Sequence, residues 1–267
     1  MENLCLIFND NPIARGYLNT YLDRGKQDTK IIYYSSFSSL NFLRKYNFNK
    51  NNYYPLFFIK DKRLTLLIKQ IECFFSLRDG FLFDMYNYNN LNYFQNISYL
   101  NTTSINGKTL INFLNSIKEN DFLITHQELV KELLKTEKNF FHIHPGYLPK
   151  VMGADGSLHS ILNYNELGCS FFKLSKEIDK GPIINRKIFE FKKLKLSDFK
   201  NFNNKELYRI WFSFVDPALR CNMLIDCLDK KTNLDKTIQL KKIESTNYYT
   251  FMNNFELSNV FKKIFCN

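Results

Sequence analysis

Short apolar runs alternate with stretches of helical spacing through the first half of the chain, and that alternation narrows the fold more than any other feature. Leu4 to Phe8 has the pattern of a buried strand. Asn11 then offers an N-cap, with Pro12 at the first helical position and apolar residues at Ile13, Leu18 and Leu22. Lys30 to Tyr34 reads as a second strand, Leu40 to Tyr46 as helical, Pro55 to Ile59 as a third strand, and Arg63 to Leu77 as a helix ending near Gly80. Helical Leu110 to Ile117, strand Asp121 to Thr125, helix Glu128 to Leu134 and strand Asn139 to Ile143 continue the series. Residues 86 to 104, rich in Asn and Tyr, read as the least ordered stretch. The alternation predicts right-handed βαβ crossovers and an α/β, Rossmann-like fold with a mostly parallel twisted sheet. The first strand-to-helix turn, Asn9-Asp10-Asn11-Pro12, has no glycine fingerprint, which argues against dinucleotide binding of the Gly-rich type.

Beyond residue 165 the pattern changes. Cys169 to Leu174 and Ile183 to Phe189 look like paired strands around an Asp179-Lys180-Gly181 turn. Glu206 to Leu228 reads as a helix interrupted or begun anew at Pro217, and the last thirty residues could supply one or two strands and an aromatic, lysine-bearing tail. The division expected is residues 1–205 as the catalytic α/β domain and 206–267 as a helix with a short β extension.

At 267 residues, 45% hydrophobic and 24% charged, the chain can bury a sizeable core. The net charge of +11 fits a lysine-rich solvated surface, or attraction of an anionic ligand such as a nucleotide. No basic run approaches a nucleic-acid tail. Six cysteines at irregular spacings do not need a disulfide framework in a chain of this length, and Cys221 and Cys227 lack metal-ligand spacing. No stretch approaches eighteen uncharged apolar residues, and the start, Met-Glu-Asn-Leu-Cys, has no basic region followed by a long apolar run. The expectation is a cytoplasmic protein with no membrane contact.

All four histidines fall between positions 126 and 159. Strand periodicity puts Phe140, His142 and His144 on one face, and Pro145, having no N–H, ends the ladder, so His144 stands at the carboxyl end of its strand. Open parallel sheets bind ligands at those ends. Gly146, Pro149, Gly153 and Gly156 permit a loop that can approach a ligand closely. A helix follows, capped by Asp155 or Ser157, with His159 on the same face as Asp155. Alternate histidines on a strand can also ligate zinc, with Asp155, His159 and Asp179 as further ligands, but no second metal motif accompanies them, and the expected metal is none. Trp211 and the pair Tyr248-Tyr249 suit packing in a core or subunit interface better than stacking on a ligand. Asp216 and Arg220, four apart, read as an exposed helical ion pair, with a phosphate or sugar contact through Arg220 as the alternative.

The run His144-Pro145-Gly146-Tyr147-Leu148-Pro149, then Gly153, Gly168 and Ile178-Asp179-Lys180-Gly181-Pro182-Ile183-Ile184, resembles the catalytic signature of the formyltransferase family. That signature is an Asn-x-His-Pro-Ser/Gly-Leu-Pro strand and loop followed by an Asp-x-Gly turn, and the likeness covers residues 139–189. The resemblance implies that His144 is the catalytic histidine and Asp179 its partner. It also implies that Gly146, Leu148, Pro149 and Gly181 border the donor; Gly153, Asp155, His159 and, beyond the likeness, Arg220 are the candidates for contact with the acceptor. The family's asparagine, which hydrogen-bonds the oxyanion, falls on His142. A protonated imidazole could serve as that donor with charge in its favour while His144 stays neutral as the base. Met152 and Pro182 are further departures.

What the resemblance implies is an N-formyltransferase using 10-formyltetrahydrofolate and the primary amine of a small anionic acceptor, such as a nucleotide-linked amino sugar, in a chain that could be a homodimer. An acyl-CoA-dependent N-acyltransferase on the same fold is the second enzyme reading, motivated by His142. A methionyl-tRNA formyltransferase-like enzyme fits less well, because only about sixty residues follow position 205 and nucleic acid is not the expected partner. A non-catalytic binding protein is the reading from another class, opposed by the presence of both His144 and Asp179.

Overall fold

A computed structural model of the chain describes residues 1, 4–35, 61–86, 88–125, 130–239 and 246–266. Along these the elements are β1 (Cys5–Phe8), α1 (Pro12–Asp23), β2 (Ile31–Ser35), α2 (Lys62–Phe74), α3 (Phe81–Asp84), β3 (Ile97–Asn101), α4 (Lys108–Ser116) and β4 (Asp121–Ile124). There follow β5 (Asn139–His144), β6 (Met152–Gly153), α5 (Gly156–Tyr164), β7 (Glu166–Lys173), β8 (Ile183–Glu190) and β9 (Leu194–Lys195). The chain ends through α6 (Asn204–Ile210), α7 (Asp216–Asp229), β10 (Tyr248–Tyr249), α8 (Asn254–Ile264) and β11 (Phe265–Cys266). The expected helix Leu40 to Tyr46, the strand Pro55 to Ile59, His126 and the start of the helix Glu128 to Leu134 lie outside the described residues. The described remainder of that last helix is a 3₁₀ turn, Leu133–Lys135.

Seven strands form one sheet in the order β3-β2-β1-β4-β5-β7-β8. The first five run parallel, and β7 and β8 join antiparallel beyond β5. Strands covered on both faces are apolar throughout, which is why β1 and β2 show no polar alternation. Their side chains divide by pleat. Leu6, Phe8, Ile31, Tyr33, Leu123, Phe141 and Ile143 face a large core that includes α1, α2 and α7. Ile7, Ile32, Tyr34, Phe122, Ile124 and Phe140 face a smaller layer with Leu110 and Leu114 of α4. The result is a three-layer α/β sandwich.

Two expectations need correction. Residues 86–104 are not the least ordered stretch: they carry a 3₁₀ segment, Tyr88–Tyr93, and strand β3. The strand sits at the sheet edge with alternating exposure, so its Asn, Ser and Tyr residues are those of a one-sided edge rather than a loop. The closing segment also contains a helix, α8, opened by a capping box between Asn253 and Glu256, besides the two short strands β10 and β11.

The helical stretch after Asn203 is broken as Pro217 implies. A π-helical segment, Trp211–Val215, joins α6 to α7. Pro217 offers no N–H to the Ser213 carbonyl, which accepts the Tyr86 hydroxyl instead at 2.7 Å. Trp211, Ala218 and Leu219 are packed into the same large core as α1, so the described helices α6 and α7 share that core. The six cysteines are free thiols. No described helix is long and apolar enough to cross a membrane.

Candidate active site

Strand β5 delivers His144 to the carboxyl end of the parallel part of the sheet, opposite Ser170 of β7. The loop that follows is folded back across the ring. The Ser170 hydroxyl donates to the Gly146 carbonyl at 2.8 Å and accepts from the Leu148 N–H at 2.9 Å, pinning both sides of the turn. A Cβ on Gly146 would stand 2.6 Å from His144 Nε2 and 2.7 Å from the Val151 oxygen, so only glycine lets the loop lie this close. Val151 is thereby placed to accept a hydrogen bond from His144 Nε2 at 3.0 Å.

That bond fixes the ring. With its proton on Nε2, neutral His144 presents the lone pair of Nδ1, which faces Asp179 Oδ2 at 3.7 Å. Burial pushes the His144 pKa down, as does Arg220, while Asp179, the Val151 carbonyl and Asp216 oppose the shift; the net direction is downward. The imidazole is thus a neutral base at ordinary pH, with a carboxylate beside the nitrogen that would take a proton. The ring is 4% exposed and the Asp179 side chain 12%, so the pair opens toward solvent on the Asp179 side.

Asp179 is held by its own turn. Its φ of +56° is a left-handed conformation that Asp tolerates better than most residues, and Oδ2 accepts the Gly153 N–H at 2.7 Å. Gly153 has φ +93°, and a Cβ there would overlap the Tyr249 carbonyl, because β6 pairs in parallel with β10 at that residue. Gly153 therefore links the Asp179 carboxylate to the C-terminal strand β10. Gly181 closes the other side of the turn against the Lys173 carbonyl, with no room for a side chain.

His142 departs from what the sequence suggested. Arg220, on α7 across the sheet, donates from Nη1 to His142 Nε2 at 3.2 Å and to the Ile143 carbonyl, and from Nε to Asp216 Oδ2 at 2.8 Å. Burial, the Arg220 charge and His144 together hold the His142 pKa well below the ordinary imidazole value, with the Ile124 carbonyl opposing. The charged oxyanion donor expected at His142 is corrected by this contact: a second cation against the guanidinium is disfavoured, and the ring is neutral. The expected exposed ion pair is also corrected, since Arg220 is 4% and Asp216 0% exposed. Burial works against the guanidinium charge, but Asp216 outweighs it and holds Arg220 above its ordinary pKa.

The remaining candidates do not converge on the His144–Asp179 pair. Both Asp155 oxygens are engaged, one by the Tyr208 hydroxyl at 2.8 Å and one by the Met252 N–H at 2.9 Å, and the side chain makes no cap bond to α5. His159 donates to the Thr250 carbonyl at 2.9 Å and stacks on Tyr249 at 4.3 Å between ring centres. These two residues tie α5 to the C-terminal segment. Leu148 is buried with Met152, Phe172 and Ile183, and its carbonyl accepts from Arg186 at 2.8 Å. Pro149 follows it, half-buried, across a cis peptide bond. Trp211 is core, its indole N–H donating to Ser157 at 3.0 Å. Among the described residues, no His, Cys, Asp or Glu cluster has the makings of a metal site. Sequence reasoning missed Ser170, and it read Asp216 only as half of an exposed ion pair. A lone serine inside the apolar run Leu167 to Phe172, beside the Gly168 that the motif singles out, was the available signal for the first.

No family model matches the chain, and no curated protein matches it in sequence. Among solved structures the chain is similar to a 4-N formyltransferase from Francisella tularensis, at 15% identity over 97% of this chain and 86% of that one, with a TM-score of 0.48. It is similar also to an N-formyltransferase from Helicobacter canadensis in complex with folinic acid and dTDP-3-aminofucose, at 18% identity over 98% and 80%, with a TM-score of 0.47. A methionyl-tRNA formyltransferase from Clostridium thermocellum is similar at 14% identity over 73% and 70%, with a TM-score of 0.38.

Proposed function

We propose that the chain is an N-acyltransferase, most simply an N-formyltransferase that moves a formyl group from 10-formyltetrahydrofolate to the primary amine of a small anionic acceptor such as a nucleotide-linked amino sugar. One observation carries the reading: His144 Nδ1 faces Asp179 at 3.7 Å while Nε2 is held by Val151, at the end of a strand whose following loop resembles the formyltransferase pattern. The chemistry needs one group that accepts the proton an amine loses when it is acylated, and a second that steadies the resulting cation. His144 Nδ1 is the first and Asp179 the second.

The residues present suit a donor carrying a carbonyl. His142 Nδ1 is a buried ring nitrogen with no hydrogen-bond partner, placed two residues before the base on the same strand face. The donor supplies the one-carbon acyl group; the loop Gly146 to Pro149 and the turn Asp179 to Gly181 would hold it. As the new C–N bond forms, the amine proton passes to His144 Nδ1, beside Asp179. His144 then returns that proton to the nitrogen that leaves the acyl carbon, so the enzyme ends in its starting state. The positive net charge suits an anionic acceptor.

The test is turnover by the purified chain with 10-formyltetrahydrofolate against a panel of nucleotide-linked 3-amino and 4-amino sugars, read by mass spectrometry of the acceptor. Acetyl-CoA and charged initiator tRNA are run in parallel. Formylation of an amino sugar, abolished in His144→Ala, is the expected outcome. Turnover with acetyl-CoA and none with the folate would replace the donor, and turnover on tRNA alone would replace the acceptor.

A further inference from the structure

Among the described residues, His142 Nδ1 is a buried side-chain atom without a hydrogen-bond partner, on the same strand face as the proposed base and two positions before it. A buried polar atom left unpaired is costly, so its persistence asks for a reason. The reason begins with Arg220. A guanidinium has no acceptor, so the 3.2 Å contact between Arg220 Nη1 and His142 Nε2 can run in one direction only: Arg220 donates and the Nε2 lone pair accepts. A neutral imidazole carries one proton. With Nε2 committed as acceptor, that proton is on Nδ1.

We propose that Arg220 is a positioning residue that fixes His142 in the Nδ1–H tautomer, so that a buried ring N–H is the donor offered to the acyl carbonyl oxygen. This rests on the acyl-transfer reading above for the oxygen, but not for the tautomer. The guanidinium is itself immobilised. Its Nε is held by Asp216 at 2.8 Å, Nη1 also bonds the Ile143 carbonyl, and Arg220 and Asp216 are both buried. Asp216 opens α7 directly after the π-helical segment Trp211–Val215, and α7 packs on β5 and β7, which aims Asp216 and Arg220 at the strand that carries both histidines. Preorganised donors that need no reorientation as charge develops are the kind that stabilise acyl-transfer transition states best. A ring locked from behind by an ion pair is such a donor. The Ile124 carbonyl lies near the ring but makes no hydrogen bond of ordinary geometry to Nδ1, so the reacting oxygen would be its better-aligned acceptor.

The experiment uses the full chain labelled with [¹⁵N]histidine; its four histidines keep the spectrum sparse, and His142→Asn assigns the His142 signals. At neutral pH the His142 Nδ1 should have the shift of a protonated ring nitrogen and Nε2 that of a lone-pair nitrogen. The reverse pattern, or a doubly protonated ring, would overturn the proposal. Arg220→Lys keeps a group that can only donate and a cation for Asp216, and should keep the tautomer. Arg220→Met, made together with Asp216→Asn so that no lone charge stays buried, should lose it; an unchanged tautomer in that double variant would remove Arg220 from the role. In turnover, the double variant should lose about 10²–10³ in kcat with the acceptor KM within about threefold, while Arg220→Lys keeps most of the activity. Adding 5-formyltetrahydrofolate should shift the His142 Nδ1–H signal and slow its exchange. If the ligand perturbs His144 but leaves His142 Nδ1–H unmoved, the donor role is wrong. If it binds nowhere, the folate reading falls, and the tautomer in the wild-type and double-variant proteins alone decides the place of Arg220.

Discussion

Replacing Asp179 by Asn tests the proton path with little disturbance of the fold. The substitution is isosteric, Asn tolerates the left-handed backbone at φ +56°, and an amide oxygen can still accept the Gly153 N–H. What is lost is the negative charge 3.7 Å from His144 Nδ1. At an effective dielectric constant of about 20, a charge pair at that distance is worth about 4.5 kcal/mol, or some three decades in rate if the imidazolium is fully formed at the barrier. Partial exposure of Asp179 and incomplete proton transfer trim this, so a kcat loss of about 10²–10³ is expected. The pH profile gives an independent sign. His144 must be neutral to accept a proton, so activity falls on the acid side, with its midpoint below the ordinary imidazole value because burial depresses the pKa. Asp179 opposes that depression, so its removal should move the acid limb to still lower pH. Initial rates of formyl transfer from pH 5 to 8, with thermal melts to confirm folding, are the assay. Full activity in Asp179→Asn, or a limb that moves upward, would refute the proposed proton path.

Other expectations concern the neighbours. His142→Ala should lose on the order of 10²–10³ in kcat, while His142→Asn, which restores a neutral donor, keeps substantial activity; equal rates in both would make His142 a packing residue. Both His142 and His144 have folded-state pKa values below their unfolded ones, so their contribution to stability is complete above about pH 6.5 and is lost as pH falls. Urea titrations should show His142→Asn losing less stability than wild type on acidification below that point, by up to about 1.4 kcal/mol per pH unit, and identical slopes would contradict a depressed His142 pKa. Gly153→Ala should destabilise the chain and loosen the C-terminal strand, seen as faster amide exchange at Tyr248–Thr250, because its Cβ has no space beside Tyr249. Asp155→Asn should cost about 1–2 kcal/mol in stability with kcat within a fewfold of wild type, since its partners are Tyr208 and Met252 rather than the reacting groups.

The parts of the fold that the sequence made legible are those buried on both faces. β1, β2 and the Phe122–Ile124 part of β4 are continuous apolar runs because helices cover the sheet on either side, and the helix cap at Asn11-Pro12 marks the first crossover. β3 escaped notice because an edge strand is wetted on one face, and this one carries Asn, Ser and Tyr, the same residues that fill loops. The helix α8 escaped for a different reason: its capping box is plain in Asn253 and Glu256, but Phe251 and Phe255 lie exposed and blur the apolar stripe. At the candidate site, the approach of Asp179 to His144 was foreshadowed by a strand end, a proline and a turn, all of them local signals.

The Asp216–Arg220 pair shows where such local signals stop. Its spacing of four residues is the same for a pair in water and a pair in a core, and the bland choice was water. The discriminating information lies in the rest of the helix. Pro217, Ala218, Leu219, Cys221, Met223 and Leu224 are buried at successive angles around α7, so no face is left for solvent along its first two turns. A helix apolar on all sides is interior, and any charge it carries must be carried inside with it. An unpaired buried charge is costly, so Asp216 holds Arg220, and the donors of Arg220 not used by Asp216 seek acceptors on the nearest strand. On β5 those acceptors are the Ile143 carbonyl and His142 Nε2. The state of the site histidine thus follows from the burial of a helix that begins 74 residues later in the chain, through contacts no periodicity in either segment encodes.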